Sequence, residues 1–170
     1  NYNESINECY KILKTDEKNI NALNTLGLSL LYLKKYEQAN KVLLETLSYS
    51  QENIKVLNSL GRLNHEQRKS IEAEIYFKKA LNLNPETFET LNNIAGFYLE
   101  ETKYLKAIHF FKKAEILKPN NAVLLNNLAK TYMCVEQVSK AENYCRKAIS
   151  LDEKNNEFQK TLSLILLKKY

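Results

Sequence analysis

A five-residue phrase returns four times at a fixed interval: "LNTLG" (23–27), "LNSLG" (57–61), "LNNIA" (91–95) and "LNNLA" (125–129), each 34 residues after the last. A period this strict constrains the fold more than composition can. One unit of this length cannot bury a core of its own, so copies must stack on one another. The small residue of the phrase recurs as Gly27, Gly61, Ala95, Ala129 and, in a final partial copy, Ser163. Ala39, Ala73, Ala107 and Ala141 form a second series. Leu43, Phe77, Phe111 and Cys145 form a third, with Cys9 in the same slot of an earlier partial copy. Ala80, Ala114 and Ala148 form a fourth, and Pro85 and Pro119 share one further slot.

Apolar residues inside each unit keep helical spacing. Leu23, Leu26, Gly27 and Leu30 fall on one stripe of a first helix, helix A. Tyr76, Phe77, Ala80 and Leu81, and then Phe110, Phe111, Ala114 and the pair Ile116–Leu117, mark a second, helix B. Polar turns such as "KKYEQ" and "ETKY" separate A from B. "NLNPET" and "LKPNNA" are stops, because proline cannot continue a helix and disfavours it one residue earlier. Only three Gly and two Pro occur in 170 residues, far too few for the turns of a sheet protein. The fold is expected to be all-α. Small residues would mark where A and B cross closely, Gly27 and Ala39 among them.

The expected map is a single solenoid over 1–170. It has an orphan helix B at 2–14, repeats at 20–53, 54–87, 88–121 and 122–155, and a terminal helix A at 156–169. Ile6, Cys9, Tyr10 and Leu13 lack a preceding helix A to cover them. The last helix is apolar on more than one side: Leu162 and Leu166 are expected inward, Leu164 and Leu167 elsewhere. A solenoid cap needs a polar outer face. The chain is therefore expected to be part of a longer array, or to self-associate through these ends.

No apolar run approaches the roughly 20 residues of a membrane span, so no membrane contact is expected. A net charge of +5 permits acidic partners without pointing to nucleic acid. Cys9, Cys134 and Cys145 are odd in number and form no CxxC pair, which suggests free thiols and a cytoplasmic location. His65 and His109 have no ligand partner at helical spacing. No Gly-rich phosphate loop is present either. No enzymatic activity and no cofactor are expected.

The spacing and residues resemble the tetratricopeptide repeat (TPR) family, whose period and L-G-x-x-Y…A-x-x-x-F…P pattern they share. "LNNIAGFYLEETKYLKAIHFFKKAEILKP" (91–119) places Ala95, Tyr98, Tyr104, Ala107, Phe111, Ala114 and Pro119 in the motif's slots. Asn64, Ser70, Leu43, Thr46 and Cys145 depart from it. The resemblance implies a right-handed superhelical solenoid of antiparallel helix pairs. Its concave side, lined by A helices, would hold an extended peptide or a helix of another protein.

On that side the resemblance puts Asn24, Asn58, Asn92 and Asn126, with Thr25, Ser59, Asn93 and Asn127 in the next slot. An asparagine amide offers two donors and one acceptor, enough to pair a peptide's backbone N–H and C=O. Asn93 and Asn127 occupy the slot that resembles the asparagine ladder of O-linked N-acetylglucosamine transferases; Thr25 and Ser59 break it. The chain also holds 21 Asn, so composition is a second source for the column. Lys55, Arg62 and Lys130 are expected on the same side and could receive acidic side chains. The family's carboxylate clamp is not expected. From the second repeat its slots hold Asn58 and Arg62, then Asn93, then Val123 and Asn127, and no frame supplies the paired cations. The basic pairs at 78–79, 112–113 and 146–147 read as solvated ends of helix B.

A protein-interaction scaffold is the function these observations imply. The alternatives are the substrate-recognition arm of a larger enzyme, such as a glycosyltransferase, and a structural subunit of a large assembly.

Overall fold

The computed structural model describes residues 1–168, and among them ten α-helices. They are α1 (Tyr2–Thr15), α2 (Ile20–Tyr32), α3 (Tyr36–Tyr49), α4 (Ile54–Glu66), α5 (Ser70–Leu83), α6 (Phe88–Glu100), α7 (Tyr104–Leu117), α8 (Ala122–Cys134), α9 (Val138–Leu151) and α10 (Asn156–Leu167). The even-numbered helices are the A helices and the odd-numbered ones the B helices. The A helices α2, α4, α6 and α8 begin at the first residue of each expected repeat. Lys169 of the expected terminal helix lies outside the described residues.

The A helices other than α6 start in the same way. Asn19, Asn53, Asn121 and Asn155 cap α2, α4, α8 and α10, each side-chain oxygen accepting a first-turn backbone N–H at 2.9–3.2 Å. Thr87 stands in this slot before α6 and makes no such bond. This column, also spaced by 34 residues, is a second periodic use of asparagine that the sequence reading did not separate from the first.

The A-to-B turn is just as regular. Lys34, Arg68, Thr102 and Glu136 all have φ near +60°, in the left-handed region. After α2, Lys34 N–H bonds Leu31 O at 2.8 Å and Lys35 N–H bonds Leu30 O at 2.9 Å. The same bonds recur after α4, α6 and α8. This pair of reversed bonds closes the orphan carbonyls of a helix end and normally uses glycine. Here four side-chain-bearing residues carry it, at a strain of about 1 kcal/mol each.

Contacts gather the chain into two compact units, Asn1–Pro85 and a second beginning at Glu86. In the first, Cys9, Leu26, Leu30, Leu31, Ala39, Leu43, Val56, Leu60 and Leu63 form one buried cluster. Ile6 and Leu13 of α1 pack against it, while Tyr10 is exposed. Gly27 and Gly61 are close-approach positions: a Cβ would lie 2.5 Å from Leu43 Cδ2 at Gly27 and 2.6 Å from Phe77 Cε1 at Gly61. In the second unit, Leu125, Ala148 and Phe158 form a buried cluster. Phe158, Thr161 and Ile165 are the buried side chains of α10. The inward stripe is thus shifted from the expected Leu162 and Leu166, which are half-buried. Leu164 and Leu167 are exposed, as are Ile116 and Leu117 of α7.

Candidate peptide-binding surface

In the first unit, two cross-links set the surface of α2 and α4. Ser59 Oγ donates to Asn24 Oδ1 at 2.8 Å, and Arg62 Nη2 donates to the Tyr32 hydroxyl at 2.5 Å. Ser59 Oγ also lies 2.9 Å from Lys55 O, so one proton serves two acceptors. Helical spacing puts Lys55, Ser59 and Arg62 on one stripe of α4. The Arg62 guanidinium sits 5.1 Å from the centre of the Tyr32 ring, which stacks at 4.6 Å on Tyr2. Lys55 is exposed. Arg62 is therefore committed to Tyr32, and Asn24 ties one A helix to the next.

The second unit repeats the stripe on α6, α8 and α10 with other residues. Lys130 Nζ pairs with Glu157 Oε1 at 2.5 Å, joining α8 to α10. Lys118 pairs with Glu89 at 3.1 Å and lies over the Phe88 ring. Gly96 occupies the slot of Arg62 and Lys130, and nothing lies within 4 Å of where its Cβ would be. Asn93 and Asn127 are half-buried on this surface.

The Asn24 column is more deeply placed than the sequence suggested. Asn58 is 6% exposed and Asn126 only 1%. Both stand among the buried polar residues of their helices. In the first unit the Asn24–Ser59 bond shows the Asn24 side chain facing the next A helix, α4. Asn92 is intermediate, and its carbonyl oxygen is buried.

Among the described residues, neither Asn92 Oδ1 nor Asn126 Oδ1 has a hydrogen-bond donor. Ser59 supplies one to Asn24. The corresponding residues after Asn92 and Asn126 are Asn127 and Thr161, and the Thr161 hydroxyl donates instead to Glu157 O at 3.0 Å. An unsatisfied buried oxygen costs about 1–3 kcal/mol.

Each basic pair on the B helices has one member in an ion pair on its own helix. Lys78 pairs with Glu74 at 2.8 Å, Lys112 with Glu115 at 2.5 Å and Arg146 with Glu142 at 2.9 Å. Burial raises the Cys9 and Cys145 thiols above the ordinary range, and neither forms a disulfide. Among the described residues, no three His, Cys, Asp or Glu side chains gather to hold a metal ion. No helix there is long and apolar enough to cross a membrane.

The architecture is that of tandem antiparallel helix pairs, and residues 54–87 and 122–155 match the family model described as tetratricopeptide repeat. Those two segments are tetratricopeptide repeats, and 20–53 and 88–121 share their period and helix arrangement. The fold is similar to that of pilF from Pseudomonas aeruginosa (TM-score 0.83, 23% identity, 91% of this chain and 70% of that one). It is also similar to a thermophilic TPR protein from Thermus thermophilus (0.87, 17%, 98% and 91%). A third likeness is to the Cut9–Hcn1 hetero-tetramer of APC/C (0.88, 16%, 99% of this chain and 34% of that one). At these identities the likeness establishes the all-α, TPR-like solenoid fold. No curated protein matches the chain.

Proposed function

We propose that this chain is a protein-interaction scaffold that takes an extended peptide, or one side of a helix, against its A helices. The carrying observation is the α6–α8 surface. Asn93 and Asn127 present amide groups there, and the bare backbone at Gly96 leaves open space for a chain to approach. Each amide adds only about 0.5–1.5 kcal/mol per hydrogen bond, so affinity needs several such contacts. Asn24, Asn92 and Lys55 contribute at the margins; Asn58 and Asn126 do not. The reading of 1–170 as one array belongs to this proposal, supported by the unbroken period across Pro85. So do the absence of chemistry within these residues and the intracellular location.

Affinity capture from the source cells, read by mass spectrometry, tests it. The wild type is compared with an Asn93→Ala/Asn127→Ala variant of equal helicity. Loss of a partner in the variant alone is the expected result. Identical captures would place the contact elsewhere and overturn the role of these amides. A structural-subunit role is the second reading. It is favoured by Ile71 and Ile75, one turn apart and both exposed on α5.

A further inference from the structure

The helices α7 and α9 both pack on α8, and among the described residues no backbone contact joins them to each other. Between them lies a cleft of about 410 Å³ lined by Lys112, Tyr132, Lys140, Asn143, Tyr144 and Lys147. That size falls within the range of ligand pockets. Tyr132, from the last turn of α8, forms the floor and stacks on Tyr144 with ring centres 5.4 Å apart. Lys140, Asn143, Tyr144 and Lys147 are one stripe of α9 at helical spacing. The Lys140 ammonium lies over the Tyr132 ring at 5.5 Å, and that of Lys112 over Tyr144 at 5.6 Å. Lys112 also donates to the Tyr144 hydroxyl at 3.0 Å and is paired with Glu115. Three ammonium groups thus face one carboxylate, leaving two positive charges in excess. The tyrosines hold the lysine stems in place, which lowers the ordering cost of a contact.

We propose that this cleft is a second binding site, separate from the A-helix surface, for a protein segment carrying adjacent Asp or Glu side chains. Carboxylates enter between Lys140 and Lys147, and the exposed Asn143 amide donates a neutral hydrogen bond to them. Lys112 stays with Glu115 and fixes the wall. Charge carries the recognition, so binding weakens as salt shortens the reach of each charge.

The test uses the whole chain and a fluorescein-labelled octaglutamate peptide, followed by fluorescence anisotropy at low salt. Lys140→Gln/Lys147→Gln is expected to raise Kd about tenfold, as the loss of two exposed charge contacts allows. Lys14→Gln/Lys41→Gln makes the same change in net charge on exposed sites of the first unit and is expected to shift Kd less than about twofold. Circular dichroism checks that both variants stay helical. Equal loss in the two variants would mean that net charge alone binds the peptide, and would overturn the proposal. Unchanged affinity in the cleft variant, or no binding by the wild type, would overturn it as well.

Discussion

A Cβ at Gly61 would come 2.6 Å from the Phe77 ring, whereas one at Gly96 would meet nothing within 4 Å. Both residues lie inside A helices, where glycine costs about 1 kcal/mol relative to alanine. Gly96→Ala should therefore stabilise the chain by about 0.5–1 kcal/mol. Gly61→Ala gains the same propensity but must displace a ring in a closed core, at about 1–3 kcal/mol. It should come out destabilising by about 1 kcal/mol. Paired urea melts would show it; equal shifts for the two variants would contradict the close approach. Thr102 tells a related story at a turn. It is β-branched and holds φ of 58°. Thr102→Gly should raise stability by about 0.5–1 kcal/mol, less than the full strain because glycine also frees the unfolded chain. Loss of stability there would mean the Thr102 side chain makes a contact worth more than its strain. Neither Thr102 nor Lys34, Arg68 and Glu136 announced itself in the sequence, since the left-handed turn usually carries glycine or asparagine. Gly27 and Gly61 were legible because the period singled them out.

Where helix meets helix, the asparagines divide by role. Asn121 closes the first turn of α8 with a 2.9 Å bond to Leu124 N–H. Asn121→Ala should cost about 1 kcal/mol in a denaturant melt. The seam offers the opposite experiment. Asn127→Ser places a hydroxyl opposite Asn92 Oδ1, as Ser59 does for Asn24. It should stabilise by about 0.5–1.5 kcal/mol, and an unchanged melt would show the oxygen out of reach. The repeats and the helix starts could be read from period and proline alone. The depth of Asn58 and Asn126 could not. Neighbouring slots on a helix differ by about 100°, and which of them points at the next A helix depends on how the two stack. The capping column was readable in principle, because Asn19, Asn53, Asn121 and Asn155 each stand just before a helical run. It was lost among 21 asparagines.

Taken whole, the chain guards two thiols and exposes a third. Cys9 and Cys145 are buried, and burial pushes both upward in pKa; Cys134 is exposed. A thiol reagent should modify Cys134 first, with the other two reacting only on unfolding, as mass spectrometry of partly labelled protein would show. The sign of the pH effect follows from linkage. A thiol held protonated by the fold favours the native state below its unfolded value of about 8.5, and this contribution is lost as pH rises through the higher folded value. The melting temperature should be flat in this respect below about pH 8 and fall towards pH 10. Cys9→Ala/Cys145→Ala should flatten that fall. Retention of the fall in the double variant would assign it to other groups.

The left-handed turns after α2, α4, α6 and α8 repeat one backbone geometry, while side chains change along the sides of the A helices. Leu28, Arg62, Gly96, Lys130 and Leu164 occupy one slot in five copies, which holds leucine twice, a cation twice and no side chain once. The backbone geometry of the punctuation repeats within this molecule while the lateral side chains change. A new specificity can then be written one copy at a time, at a single lateral position, without renegotiating how any helix begins or ends.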